Sequence, residues 1–193
     1  MSVKARLLIL IAVTRMSSPT DITLKEFLAT LGEIPEFDNM DELFHNPKYH
    51  PEGDGSLHAH MIAAFNKWKE NSERTLVGYW ALVFHDIGKQ SCAVWNGDNK
   101  GFHSFIKHES VGADIFAEKY SNYNKVVLGW NDMIEWVIRQ HTNFWQVSKH
   151  GKATAIAKHP AFNVLAEVCL ADKMGFKDYE WAERIIFFAS KRE

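Results

Sequence analysis

An imidazole and a carboxylate stand side by side at His85 and Asp86, at the end of the apolar run 82–84 and just ahead of Gly88 and Lys89. Burying such a pair costs several kcal/mol unless something compensates the charge. A divalent ion would do so, because imidazole and carboxylate are its ligands and its charge favours the ionised acid. A plain salt-bridged pair at a helix end would do so too. The dipeptide alone does not choose between them.

The rest of the chain extends the pair into an ordered series. A histidine precedes it in the segment 57–71, either His58 or His60; the two are two residues apart and project from different helix faces, so one of them is expected as a ligand. After it come His103 or His108, then His141, then Asp172. Four imidazoles and two carboxylates on successive helices could hold two divalent ions in a bundle core, with Asp86 between them and positions left for water or substrate. His50, His150 and His159 read as loop or surface residues.

Helices must position these groups. Thr23 and Glu26 form a capping box ahead of a short helix to about Leu31, which Gly32 and Pro35 end. A second short helix is expected at 39–44, and the stretch 45–56, rich in Pro, Gly and Asp, reads as a loop. Ser56 is placed to cap a helix over 57–71, whose Leu57, Met61, Ala64, Phe65 and Trp68 recur at helical spacing. The helix 74–86 is apolar nearly all round, as for a buried element. An irregular loop is expected over 90–105, then helices at 108–120, from 126 or 131 to 141, from Pro160 to Met174, and at 178–190. With no strand series and no repeat, the fold class is all-α, a compact helical bundle.

At 193 residues the chain is most simply one domain, 21–193, preceded by an appendage, 1–20. The segment 4–13 has a basic start, but its apolar run of seven is too short for a membrane span and lacks a cleavage site. A net charge of −2 provides no overall basic field for duplex DNA. Cys92 and Cys169 show neither disulfide nor zinc-finger spacing, which fits a reduced, cytoplasmic setting.

The segments NPKYHPEGDGSLH, ALVFHDIGK, KHESVGA, VIRQH and LAEVCLADKMG, from about residue 45 to 175, resemble the HD-domain metal-dependent phosphohydrolases, and most closely the HD domain attached to bacterial tRNA nucleotidyltransferases. The resemblance implies that the first metal histidine follows the PEGD loop by four residues, which is His58, and that the third precedes Glu-x-x-Gly-Ala, which is His108. The implied metal ligands are then His58, His85, Asp86, His108, His141 and Asp172. One departure concerns the loop: Gly55 and Ser56 stand where a bulky residue is often found.

The expected function is a phosphodiesterase or phosphomonoesterase acting on a nucleotide or a 2′,3′-cyclic phosphate, an RNA end included. It would use one or two divalent ions (Mn, Ni, Co, Mg or Fe) to generate a hydroxide that attacks phosphorus. Asp86 would bridge the ions and orient the nucleophile, and Lys89 would neutralise a phosphoryl oxygen. Arg139 and Lys173 are further candidates for phosphate contact, Glu109 for orienting His108, and Phe144 and Trp145 for stacking on a base. Neither a membrane nor duplex DNA is expected as a partner. Two other classes share parts of this pattern: a mixed-valent di-iron oxygenase with the same ligand series, and a non-catalytic nucleotide-binding module.

Overall fold

The computed structural model describes residues 21–123, 125–126, 128–146 and 156–173; the expected appendage 1–20 and helix 178–190 lie outside the described residues. The first helix, α1 (Leu24–Leu31), starts where expected: the Thr23 hydroxyl accepts from the Glu26 amide, and the Glu26 carboxylate accepts from the Thr23 amide. It buries Phe27 and Leu31, and Phe27 stacks on Phe65 with ring centroids 4.5 Å apart. Two short 3-10 turns follow, Pro35–Phe37 and Met40–Glu42, the second in place of the helix expected at 39–44.

Helix α2 (Leu57–Glu70) is capped by Ser56, whose hydroxyl accepts from the Ala59 amide. Its buried residues are Leu57, His60, Met61, Ala64, Phe65 and Trp68. The apolar ones make one stripe at three- and four-residue spacing, and His60 is buried on its flank while His58 is not. Helix α3 (Leu76–Phe84) begins at the Thr75 cap and is buried from Gly78 onward, as its composition predicts. At its start the buried Glu167 carboxylate accepts from the Trp68 indole, the Thr75 amide and the Thr75 hydroxyl, tying three helices together. Burial raises the Glu167 pKa against these stabilising bonds.

The chain then turns tightly through 85–88 into the short helix α4 (Lys89–Cys92). The expected irregular loop contains a small hairpin instead. Strands β1 (Ala93–Trp95) and β2 (His103–Phe105) pair antiparallel, Val94 opposite Ser104, with Gly97 and Gly101 at positive φ in the connection. Only three residues per strand and half-exposed faces leave little alternation to read from sequence. The hairpin is stitched to the start of the PEGD loop, because the His103 amide donates to Phe44 O and the Phe44 amide to His103 Nδ1, while the His45 amide closes the loop on Gly55 O.

Helix α5 (His108–Ile115) continues as a π-turn over Phe116–Tyr120, α6 spans Asn131–Gln146, and α7 spans Phe162–Asp172. The last packs on α2, α3 and α6, while α5 packs on α6. The mostly helical fold class holds, with the hairpin as its addition. No helix among the described residues is long and apolar enough to cross a membrane.

Candidate metal centre

Three histidines reach the centre of the bundle in the same way. The Nδ1–H of His85 donates to Leu82 O, that of His108 to Phe105 O and that of His141 to Ile138 O, each at 2.7 Å. A carbonyl can only accept, so in each neutral ring the proton sits on Nδ1 and the Nε2 lone pair faces the centre. Backbone hydrogen bonds of this kind fix the tautomer and orientation of metal-binding histidines.

Around Asp86 these nitrogens form two groups. Its Oδ2 lies 3.3 Å from His60 Nε2 and 3.2 Å from His85 Nε2, and the Asp172 Oδ1 is 3.0 Å and 3.5 Å from the same two nitrogens. Its Oδ1 lies 3.4 Å from His108 Nε2 and 3.6 Å from His141 Nε2. Donor atoms about 2.1 Å from one ion and roughly 90–110° apart are about 3.0–3.4 Å from each other, so these spacings suit shared ligation. Despite them, His60 Nε2, His85 Nε2 and Asp86 Oδ1 make no aligned hydrogen bond and are buried. His108 Nε2 and His141 Nε2 face each other at 3.0 Å. Two lone pairs at that distance repel unless a cation or proton lies between them. The donors fit divalent ions on both sides of Asp86.

A family model for the HD domain matches residues 56–175, well over half of the chain. The chain belongs to the HD-domain family. That family is one of metal-dependent phosphohydrolases, and the two donor groups are of the kind that could hold its metal. No curated protein and no solved structure matches the chain.

The HD site departs from the sequence expectation at its first histidine. His58 points outward, its Nδ1 2.7 Å from the exposed Asp41 carboxylate, while the wholly buried His60 occupies the cluster. Tertiary packing decides this: on a helical wheel His58 and His60 flank the apolar stripe of Leu57, Met61, Ala64, Phe65 and Trp68 about equally, and the docking of α2 turns the His60 flank toward Asp86 and Asp172. The periodicity of α2 does not distinguish the two histidines in the sequence. His58→Ala should therefore leave metal content unchanged and stability within about 0.5 kcal/mol. His60→Ala should weaken metal binding at least about 100-fold. Metal content after dialysis, beside urea unfolding of both variants, checks this pair.

Lys89 also sits differently from expectation. Its buried ammonium is 2.6 Å from Asp86 Oδ2 and 2.7 Å from His45 Nε2, so it is occupied within the protein and holds Asp86 from behind. Arg139 is turned to the outer face, where it donates to Asp114 at 2.8 Å and Glu135 at 3.0 Å. Phe144 is fully buried and packs near Phe162, out of reach of a nucleobase. Lys173 follows Asp172 as the C-cap of α7, and the side chain of Trp145 lies outside the described residues. Glu109 opens α5, with a carboxylate oxygen 3.6 Å from His108 Nδ1. His103 accepts from the Phe44 amide, and His159 stacks on Trp136 at 3.7 Å, so both serve structural contacts. His50, expected in a loop or on the surface, lies in the loop before α2 and is half-buried beside His60.

Protons can replace metal in this HD site, and the charges show how. Burial opposes ionisation of Asp86, yet His85 and Lys89 hold its carboxyl well below the usual range, and His60 and His85 do the same for Asp172. Burial opposes charging His60 as well, but Asp172 and Asp86 raise it to about 10; Asp86 and Asp172 raise His85 to about 9. The metal-free folded chain thus binds more protons at the two histidines than the unfolded chain does between about pH 6.5 and these raised values. Their stabilisation is present below about pH 6.5 and is lost as pH rises through about 9 to 10. The EDTA-treated protein should show a melting temperature falling over that window, and the metal-loaded protein a flatter profile. Thermal melts at a series of pH values measure both.

Access to the HD site is narrow. The side chains of Asp172 and His108 are each 12% exposed, against 3% or less for His60, His85, Asp86 and His141. The Asp172–His108 edge is thus the most exposed part of the cluster.

Proposed function

We propose that this HD domain is a metal-dependent phosphohydrolase, a phosphodiesterase or phosphomonoesterase, acting on a nucleotide or a 2′,3′-cyclic phosphate end. The observation that carries the reading is Asp86, whose two oxygens face two separate groups of nitrogen donors. The proposed ligands are His60, His85, Asp86 and Asp172 on one side and Asp86, His108 and His141 on the other. Divalent ions bound there would supply Lewis acidity and lower the pKa of a water, the two things phosphate-ester hydrolysis at neutral pH needs.

The chain's own residues do the rest. Asp86 keeps its charge because His85 and Lys89 stabilise its carboxylate, Lys89 being itself bonded to His45, and the three carbonyl-bonded histidines present lone pairs without reorganisation. The narrow exposed edge suits a phosphoryl group at a chain end or on a small molecule better than the flank of a duplex. The likeness of NPKYHPEGDGSLH and KHESVGA to the HD domain of tRNA nucleotidyltransferases favours a cyclic phosphate among these substrates. Trp145 and Lys173 are the proposed contacts for base and phosphate. Cys92 and Cys169 are free thiols, which suits the proposed cytoplasmic setting.

The test is a metal analysis of the purified chain and an assay of 2′,3′-cyclic nucleotides, nucleoside monophosphates and deoxynucleoside triphosphates with Mn²⁺, Ni²⁺, Co²⁺ or Mg²⁺. Phosphate-ester cleavage that depends on added metal is expected. No cleavage of any of them, together with two irons per chain and oxygen uptake with a polyol, would overturn the reading in favour of a di-iron oxygenase.

A further inference from the structure

The PEGD loop places a carboxylate where a surface loop ordinarily would not. Gly53 and Gly55 at positive φ, and the Ser56 amide donating to the Asp54 carboxylate, fold the loop so that Glu52 turns inward. Its side chain is 5% exposed, and neither carboxylate oxygen has a hydrogen-bond partner. Glu52 Oε2 is 3.9 Å from His50 Nδ1, and Glu52 Oε1 is 3.9 Å from His60 Nδ1. Both of these ring nitrogens are also buried without a partner. Four unsatisfied polar atoms therefore surround one point, too far apart for direct hydrogen bonds. Leaving so many buried groups unmade would be costly.

We infer that Glu52, His50 and the Nδ1 edge of His60 form a further divalent-cation site, back to back with the HD site and sharing His60 with it. The donor atoms of the three residues lie within 4.8 Å of one another, and drawing them in by about 0.5–1.5 Å brings them to ligand spacing. Two imidazoles and a carboxylate are donors for zinc, manganese or iron. His60 Nε2 faces Asp172 and Asp86 while its Nδ1 faces Glu52, so one ring serves both sites, its remaining proton passing to solvent when both are filled. An orienting role of Glu52 toward His60 alone would explain neither His50 Nδ1 nor the second carboxylate oxygen. The inference rests on the metal-binding reading of the HD site only through the shared His60.

Crystals of the full chain soaked in Zn²⁺ and measured at the zinc absorption edge test it directly, with elemental analysis of dialysed wild type, Glu52→Gln and His50→Gln in solution. Expected are an anomalous peak between Glu52 and His50, separate from those around Asp86, and one equivalent less zinc in each variant. Peaks around Asp86 alone, or equal zinc in all three proteins, would overturn the inference and leave the HD reading intact. The converse pattern, zinc at Glu52 without phosphate-ester cleavage, would overturn the hydrolase reading and leave this site standing.

Discussion

Asp86→Asn should lower metal-dependent phosphoesterase activity at least about 10³-fold, the scale seen when a pre-organised charge partner is removed from a reacting centre. The substitution keeps the shape and leaves an amide oxygen for the Lys89 ammonium, so the local packing survives. It removes the one anion that faces both donor groups, with His60 and His85 at 3.2–3.3 Å from Oδ2 and His108 and His141 at 3.4–3.6 Å from Oδ1. The metal content of the dialysed variant should fall with its activity. A folded variant, shown by circular dichroism, that retained both would exclude Asp86 as the shared ligand.

The second large effect is expected away from any ligand. A Cβ at Gly88 would sit 2.2 Å from His108 O and 2.6 Å from the Gly112 amide nitrogen, and a Cβ at Gly112 would come within 3.0 Å of Gly88 N. The opposing atoms are backbone, so no rotamer change relieves the overlap. Gly88→Ala should destabilise the chain by about 1–3 kcal/mol, the usual range for overpacking, or more. It should also push the start of α5, and His108 with it, away from Asp86. Metal titration should show the Asp86–His108–His141 group weakened more than the group holding His60, His85 and Asp172. Wild-type unfolding in urea together with unchanged titration would mean that the turn after Asp86 shifts without moving α5.

This contact explains two glycines that the sequence displays without a reason. HDIGK and HESVGA are far apart in the chain, yet Gly88 and Gly112 are where their backbones meet. Neither glycine needs a left-handed conformation, so no local turn signal marks them. Close approach between distant segments is a tertiary fact.

The sequence by itself determined the helical class, the Thr23 and Ser56 caps and the buried helix ahead of His85, and it singled out His85, Asp86, His141 and Asp172 as candidates, while His108 was chosen over His103 only through the resemblance to the HD domain. Those features are local or periodic, and residue type with spacing is enough to carry them. His60 was not legible in this way, since it and His58 flank the stripe from Leu57 to Trp68 about equally, and the motif count pointed to His58. Only the tertiary structure decided what Lys89, Phe144 and Arg139 touch. A lysine one turn beyond an aspartate has the same local pattern whether it faces substrate or, as here, His45 from a distant loop. The inward turn of Glu52 was likewise decided by the loop's docking against α2 and the hairpin, because a carboxylate between Pro51 and Gly53 in a loop reads as solvent-exposed until its neighbours in space are known.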